Sequence, residues 1–165
     1  TLPLWAVNFN PGLQFGFPDY LSLASCSVAL LISNVADKQL RNYMIANCNR
    51  VTKGMEPVLV LDTGLWRYSR HPNYFGEQLW WFSLSMFGRV AGQRWTVLGA
   101  LVNSASMMYV THLTEKRMRN TPARTKAYEA YSKLTNTLFP FYPDEPTTED
   151  KHTTTTKTVT KIKGI

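Results

Sequence analysis

Two arginines and a histidine lead up to a proline in Arg67-Tyr68-Ser69-Arg70-His71-Pro72, and an amide, a phenol and a carboxylate follow in Asn73-Tyr74-Phe75-Gly76-Glu77. Proline suits the first turn of a helix, where its missing N–H has no intrahelical partner to lose. A helix starting at Pro72 points free backbone N–H groups and its positive dipole end at whatever Arg67, Arg70 and His71 surround. Guanidinium groups add charge-assisted donors, so the chemistry expected here is anion binding. Spacings of three and four put Asn73, Tyr74 and Glu77 on one helical face, with Trp80 and Trp81 continuing inward. A belt of Arg, Tyr and Trp where a membrane helix leaves the bilayer accounts for the arginines and aromatics. It does not account for Asn73 and Glu77 sharing that face.

The elements that must position these residues are apolar helices. Tyr20 to Ala36 carries no charge over 17 positions, and Trp95 to Thr114 none over 20. The longer stretch is enough to cross a hydrocarbon core of about 30 Å. Gln78 to Gly88 is also uncharged and, joined to Asn73–Glu77, makes a third helix. Ser22, Ser25, Ser27 and Ser33 suit helix–helix contact in a membrane bundle better than exposure to lipid. The slightly negative mean hydropathy comes from the polar, threonine-rich stretch 144–165. The fold class expected is therefore all-α: a polytopic membrane domain of about three transmembrane helices (20–36, 73–88 and 95–114) plus an amphipathic C-terminal helix, 123–134. Residues 1–19, broken by Pro3, Pro11, Gly12, Gly16 and Pro18, read as an interfacial or loop segment, and 20–143 as the membrane domain. The tail 144–165 is too polar to order itself. The first residue is Thr1, which is expected of a fragment or a processed product.

Charge placement agrees. Loop 37–72 and segment 115–133 together hold twelve Lys and Arg, against Arg89 and Arg94 in the loop between the second and third spans. That asymmetry marks a cytoplasmic or matrix face and brings both basic segments to one side. Membrane lipid is the expected partner, and nucleic acid is not. Cys26 and Cys48 have no second pair or nearby histidine, so neither a disulfide framework nor a metal site is expected. Asp62-Thr63-Gly64 has the triplet of an aspartic protease, but Leu65 follows and the alternating strand pattern is missing.

Arg70-His71-Pro72-Asn73-Tyr74-Phe75-Gly76-Glu77, preceded by Gly64-Leu65-Trp66, resembles the C-terminal signature of the steroid 5-alpha-reductase-like membrane proteins. The same core recurs more loosely in sterol C14 and delta-7 reductases and in isoprenylcysteine carboxyl methyltransferases. Ala36-Asp37-Lys38-Gln39 and the run from Glu115 through Tyr128 and Tyr131 to Leu138-Phe139-Pro140-Phe141 extend the resemblance from about Asp19 to Pro143. It implies a cofactor site drawn from Asp37, Arg41, Trp66, Arg67, Arg70, His71, Asn73, Arg117, Arg119, Tyr128 and Tyr131. The cofactor is NADPH in the reductases and S-adenosylmethionine in the methyltransferases. It also implies location in the endoplasmic reticulum, with the mitochondrial inner membrane as the alternative.

The function expected is NADPH-dependent reduction of an activated C=C bond in a lipid or sterol-like substrate, with Tyr74 and Glu77 as the catalytic acid pair. An intramembrane carboxylate demands protonation or a partner, such as Tyr74, Trp80 or Trp81. In the 5-alpha-reductases the tyrosine and glutamate at the substrate carbonyl lie in an N-terminal half that this sequence does not contain. Two alternatives follow. One is a non-catalytic, reductase-like subunit of a large membrane complex, in contact with other membrane subunits. The other is a methyltransferase using S-adenosylmethionine, which the dense arginine set disfavours because that cofactor has no phosphate.

Overall fold

The computed structural model describes residues 14–142, and among these every regular element is helical. Residues 1–13 of the expected interfacial segment and the tail 144–165 lie outside the described residues. Helix α1 spans Phe17–Thr52. It opens with Pro18 in its first turn and with the Asp19 carboxylate accepting the Gly16 N–H at 2.9 Å. Between Asp19 and Lys53 there is neither proline nor glycine, so the helix does not stop where the apolar run stops at Ala36. Its 36 residues make it about 54 Å long, well beyond a bilayer core of about 30 Å.

Helix α2 spans Pro72–Val90 and helix α3 Val97–Arg119, each longer than the uncharged stretch at its centre. Between them Gly92 turns the chain at φ +79° and Arg94–Thr96 forms one 3-10 turn. Helix α4, Thr125–Leu134, begins two residues later than the sequence pattern suggests. Among the described residues one helix, α1, is by itself long and apolar enough to cross a membrane. The expected second and third spans have the length, but Glu77, Gln78 and Arg89 dilute α2, and Asn103, Ser104, Ser106 and His112 dilute α3.

Helix α2 packs on both α1 and α3, most extensively on α1. The α1 face that meets it is a seam of small residues: Ser22, Cys26, Ala29, Ser33 and Ala36, spaced four and three apart. Ala29 and Ala36 have no exposed surface. Ser83 donates to Ser25 across the seam at 2.6 Å, and Ser33 donates to the Asn73 carbonyl at 3.2 Å. At Gly76 the backbones come so close that a Cβ would stand 2.8 Å from the Ala29 carbonyl oxygen and 2.9 Å from the Ser33 nitrogen. The α2–α3 seam is equally lean, with Ser85, Ala100 and Thr111 buried in it and Ser104 donating to Gln78. The large apolar side chains point away from these seams: Leu21, Leu31, Leu98, Val102 and Met108 are all exposed. Small residues inside and large apolar residues outside is the arrangement of helices packed in lipid.

Gly76 therefore sets the α1–α2 distance. Gly76→Val should lower the thermal unfolding midpoint in detergent by the equivalent of about 3 kcal/mol, the upper end of overpacking costs. Gly54→Ala, at a positive-φ site with open space around it, should cost only about 1 kcal/mol of backbone strain. Equal midpoints for the two variants would show that α1 and α2 do not need this close approach.

Candidate functional site

The connection from α1 to α2 is held by side chains of α1. Val58 is fixed by Asn47, which both accepts its N–H and donates to its carbonyl at 2.8 Å, and by the Tyr43 hydroxyl at 2.7 Å. Gly64, at φ +63°, sits against the Gln39 amide, which accepts the Leu65 N–H at 3.0 Å. A side chain at position 64 would meet both the strained φ and the Gln39 amide. Trp66, in the 3-10 turn Gly64–Arg67, is buried and donates its indole N–H to the Ala36 carbonyl at 3.1 Å.

Arg70 follows, 8% exposed. Its Nε donates to Glu115 Oε1 at 2.8 Å, and Nη2 reaches the same oxygen at 2.8 Å and Thr137 Oγ1 at 2.6 Å. Nη1 donates to the carbonyls of Ser132 at 2.8 Å and Thr135 at 2.7 Å. All three guanidinium nitrogens are thus engaged, through four hydrogen bonds and the ion pair with Glu115. Ser69 and the Arg70 backbone N–H add bonds to the Leu138 and Asn136 carbonyls at 2.8 Å. The Tyr131 hydroxyl donates to the Trp66 carbonyl. The start of α2 is in this way tied to the end of α3, to α4 and to the strap 135–138.

Glu115 is the hub. Besides Arg70 it pairs with Arg119 through Oε2 at 3.2 Å, and His71 Nε2 stands 3.6 Å from Oε1. Burial by itself would raise the Glu115 pKa, but its interactions with His71 and Arg70 more than offset that and hold it down to about 2. Burial pushes the Tyr128 phenol up to about 12, with Glu115 adding to the effect, and burial likewise raises Tyr131. Both tyrosines stay protonated near neutral pH.

Three hollows surround this knot. The inner cavity, about 430 Å³, is walled by Trp66, Arg70, His71, Asn73 and Tyr74 on one side and by Tyr43, Asn47, Arg124, Tyr128 and Tyr131 on the others. A groove of about 360 Å³ between α1 and α2 is lined by Leu30, Ser33, Asp37, Asn73, Tyr74, Glu77, Trp80 and Trp81. An outer hollow of about 790 Å³ lies between residues 59–67 and α4 and includes Asp62, Arg67 and Tyr131. Two buried polar atoms of residues that line the inner cavity lack a hydrogen bond: Asn73 Oδ1, and His71 Nε2, whose nearest partner is Glu115 Oε1 at 3.6 Å. The His71 ring lies flat on Tyr74, at 5.1 Å between centroids. The Asn73 amide donates to Asp37 Oδ1 at 3.1 Å.

The structure thus gathers Asp37, Trp66, Arg70, His71, Asn73, Tyr74, Glu77, Tyr128 and Tyr131 around two adjoining hollows. It does not bring Arg67 to Arg70, because Arg67 lines the outer hollow instead. Arg41, Arg117 and Arg119 are exposed and line none of the three. Glu77 has no hydrogen bond or ion pair to Tyr74, Trp80, Trp81 or any other described residue; its face of α2 opens onto the groove. Sequence reasoning missed Tyr43, Asn47 and Arg124 as cavity residues. It also named Glu115 only as the start of the C-terminal run, without its partner Arg70. Nothing in local spacing links positions 45 apart, as Arg70 and Glu115 are.

Residues 1–135 match the model of a family described as "Protein of unknown function (DUF1295)". A Schizosaccharomyces pombe relative, described as "Uncharacterized protein C594.04c", is 34% identical over 116 residues, covering 62% of this chain and 34% of the relative. The chain thus spans about a third of the length of that relative. No solved structure matches.

The depressed Glu115 pKa fixes the sign of a pH effect. Stabilisation from the carboxylate is complete above its ordinary value of 4.5 and is lost as pH falls toward about 2. Thermal unfolding in detergent should show a midpoint that drops across this window. Glu115→Gln should begin about 3 kcal/mol less stable, the cost of leaving Arg70 unpaired, with a flatter profile below pH 4.5. A profile as steep as that of the unaltered chain would assign the acid sensitivity to other carboxylates.

Proposed function

The chain belongs to the DUF1295 family, which in general terms is the steroid 5-alpha-reductase-like family, and from that premise we propose that it holds the cofactor of a membrane-embedded, NADPH-dependent reductase. The bond reduced is an activated C=C bond in a lipid or steroid-like substrate. The observation that supports this reading is that Asn73 and Tyr74 line both the inner cavity and the groove. A cofactor in the cavity and a lipid entering the groove from between α1 and α2 then meet at one wall. In this reading α1, α2 and α3 all cross the bilayer, and the basic loops 37–72 and 115–133 share its cytoplasmic or matrix side.

The donor set fits such a cofactor. Asn73 Oδ1, a buried acceptor without a partner, suits the N–H of a carboxamide. His71 Nε2 and the free N–H groups at the start of α2 suit a hydroxyl or phosphate oxygen. NADPH supplies the hydride when bound. The residues of this chain do the rest. Asn73 and Asp37, already hydrogen-bonded to each other, orient the reacting ring. Tyr74 Oη delivers the proton to the α-carbon of the enone as the β-carbon is reduced; the stacked His71 ring orients the phenol, and Glu77 lines the same groove. Trp80 and Trp81, beside it in the groove, keep water away.

One observation favours a second reading, a methyltransferase. Arg124 is the guanidinium of the inner cavity that does not belong to the Arg70 knot, and Arg41, Arg117 and Arg119 stand off the hollows. S-adenosylmethionine carries no phosphate and needs none of them.

Titration of the protein in lipid nanodiscs with NADPH and with S-adenosylmethionine separates the readings. NADPH should bind, and enone lipids should be reduced at its expense. Tyr74→Phe should abolish turnover while leaving the NADPH Kd within about twofold, whereas Arg89→Ala should change neither. Binding of S-adenosylmethionine alone would favour the methyltransferase, and binding of neither would favour a non-catalytic membrane subunit.

A further inference from the structure

Beyond α4 the chain forms a strap that is tied down at its start and bare at its end. The Arg70 N–H donates to the Asn136 carbonyl and the Ser69 hydroxyl to the Leu138 carbonyl, both at 2.8 Å, and Arg70 Nη2 donates to Thr137 Oγ1 at 2.6 Å. The residues that follow are left uncovered: Phe139 is 57% exposed, Phe141 61% and Tyr142 87%. Their rings are grouped. Phe141 stands 6.2 Å from Phe139 between centroids, Phe139 meets Phe75 at 6.0 Å, and Tyr142 meets Tyr68 edge-on at 5.7 Å. A contiguous patch of large apolar side chains calls for a covering surface in a way that scattered ones do not.

Phe75 sets the level of this patch. It lies three residues past Pro72, about 4.5 Å along α2 from its first residue. Leu79, Phe82 and Met86 follow at spacings of four, seven and eleven, on the same helical face, and Phe82 and Met86 are exposed. The strap thus extends the bare apolar face of α2 at the end where that helix starts. Charge points the same way. Residues 130–142 include no Asp or Glu. The exposed cations Lys133 and Arg67 stand at the start of the strap, Arg67 through the bond from the Thr135 hydroxyl to its carbonyl at 3.3 Å. We propose that residues 139–142 are an interfacial anchor whose occupant is the lipid bilayer, with Phe139 and Phe141 at the boundary of headgroups and acyl chains and Lys133 and Arg67 toward the lipid phosphates. The proposal rests on the reading in which α2 crosses a bilayer, and it needs no cofactor. Aromatic side chains settle at that boundary, and basic ones are drawn to anionic headgroups. Because the strap is bonded to Ser69 and Arg70, the bilayer would brace the same knot that walls the inner cavity.

The test is nitroxide labelling of the full chain in phosphatidylcholine–phosphatidylserine nanodiscs, with Cys26→Ser and Cys48→Ser removing the native thiols. Single cysteines are placed by Phe141→Cys, by Val102→Cys on the exposed face of α3 and by Lys53→Cys beyond the end of α1. Collision with oxygen, which concentrates in lipid, is compared with collision with a water-soluble nickel chelate. The oxygen-to-nickel ratio at position 141 should exceed that at position 53 by roughly tenfold, as for a site below the headgroups, and should stay below that at position 102. A ratio at 141 equal to that at 53 would place the strap in water and overturn the anchor while position 102 upholds the spanning helices. Shielding of 141 from both reagents would overturn it too, by showing that polypeptide covers the patch. A watery ratio at 102 would overturn the membrane reading along with the anchor. Photolabelling of the unaltered protein by a phospholipid carrying a diazirine close to its glycerol gives a check without substitutions: adducts should appear on the peptide containing Phe139–Tyr142, and their absence would overturn the proposal.

Discussion

The Arg70 guanidinium has five N–H groups to satisfy once it is taken out of water. The chain meets that requirement with acceptors from three places: Glu115 at the end of α3, the carbonyls of Ser132 and Thr135 around the end of α4, and Thr137 in the strap beyond. Removing any one leaves a buried donor unpaired in a low-dielectric setting, so these segments are held in register as a unit. The walls of the inner cavity follow from this. Tyr128 and Tyr131 face His71 and Trp66 because Arg70 fixes where α4 lies.

A second constraint acts along the face of α2 that meets α1. Under the proposal that α1 and α2 cross a membrane, there is little hydrophobic gain from bringing them together, so contact depends on close packing and on hydrogen bonds. Gly76 and the small-residue seam of α1 allow that approach, and Ser25, Ser33 and Ser83 add hydrogen bonds across it. Larger side chains are excluded from the seam and pushed to its edges. The groove between α1 and α2 exists for that reason. Asp37, Glu77, Trp80 and Trp81 are left lining an opening instead of filling a core.

These two constraints divide the polar residues into those that build and those left free. Arg70, Glu115, Ser69, Gln39 and Asn47 are engaged by the chain itself. Asn73 Oδ1 is buried without a hydrogen bond, while Glu77 and Arg67 face open hollows. Groups that the chain does not satisfy are the ones available to a ligand. The hollows they line adjoin: Asn73 and Tyr74 wall both the groove and the inner cavity, and Val60 and Tyr131 wall both the inner cavity and the outer hollow.

Helix positions were legible because they depend on local chemistry. Pro72 starts α2, each of the three uncharged runs falls largely within one helix, and the small residues of α1 identify its packing face. The end of α1 was not legible from hydropathy, since a helix ends at a breaker and not at a change of polarity; the absence of proline and glycine before Gly54 was the better signal. The site was legible in its residue types. Asn73, Tyr74 and Glu77 share a face because helical geometry puts them there. What the sequence could not decide was which of several arginines remain free. That depends on acceptors 45 to 67 residues away from Arg70, brought to it only when α3 and α4 pack. Charge belongs to the side chain and is written in the sequence, but whether a charge is available to a ligand is set by what tertiary contact has already paired with it.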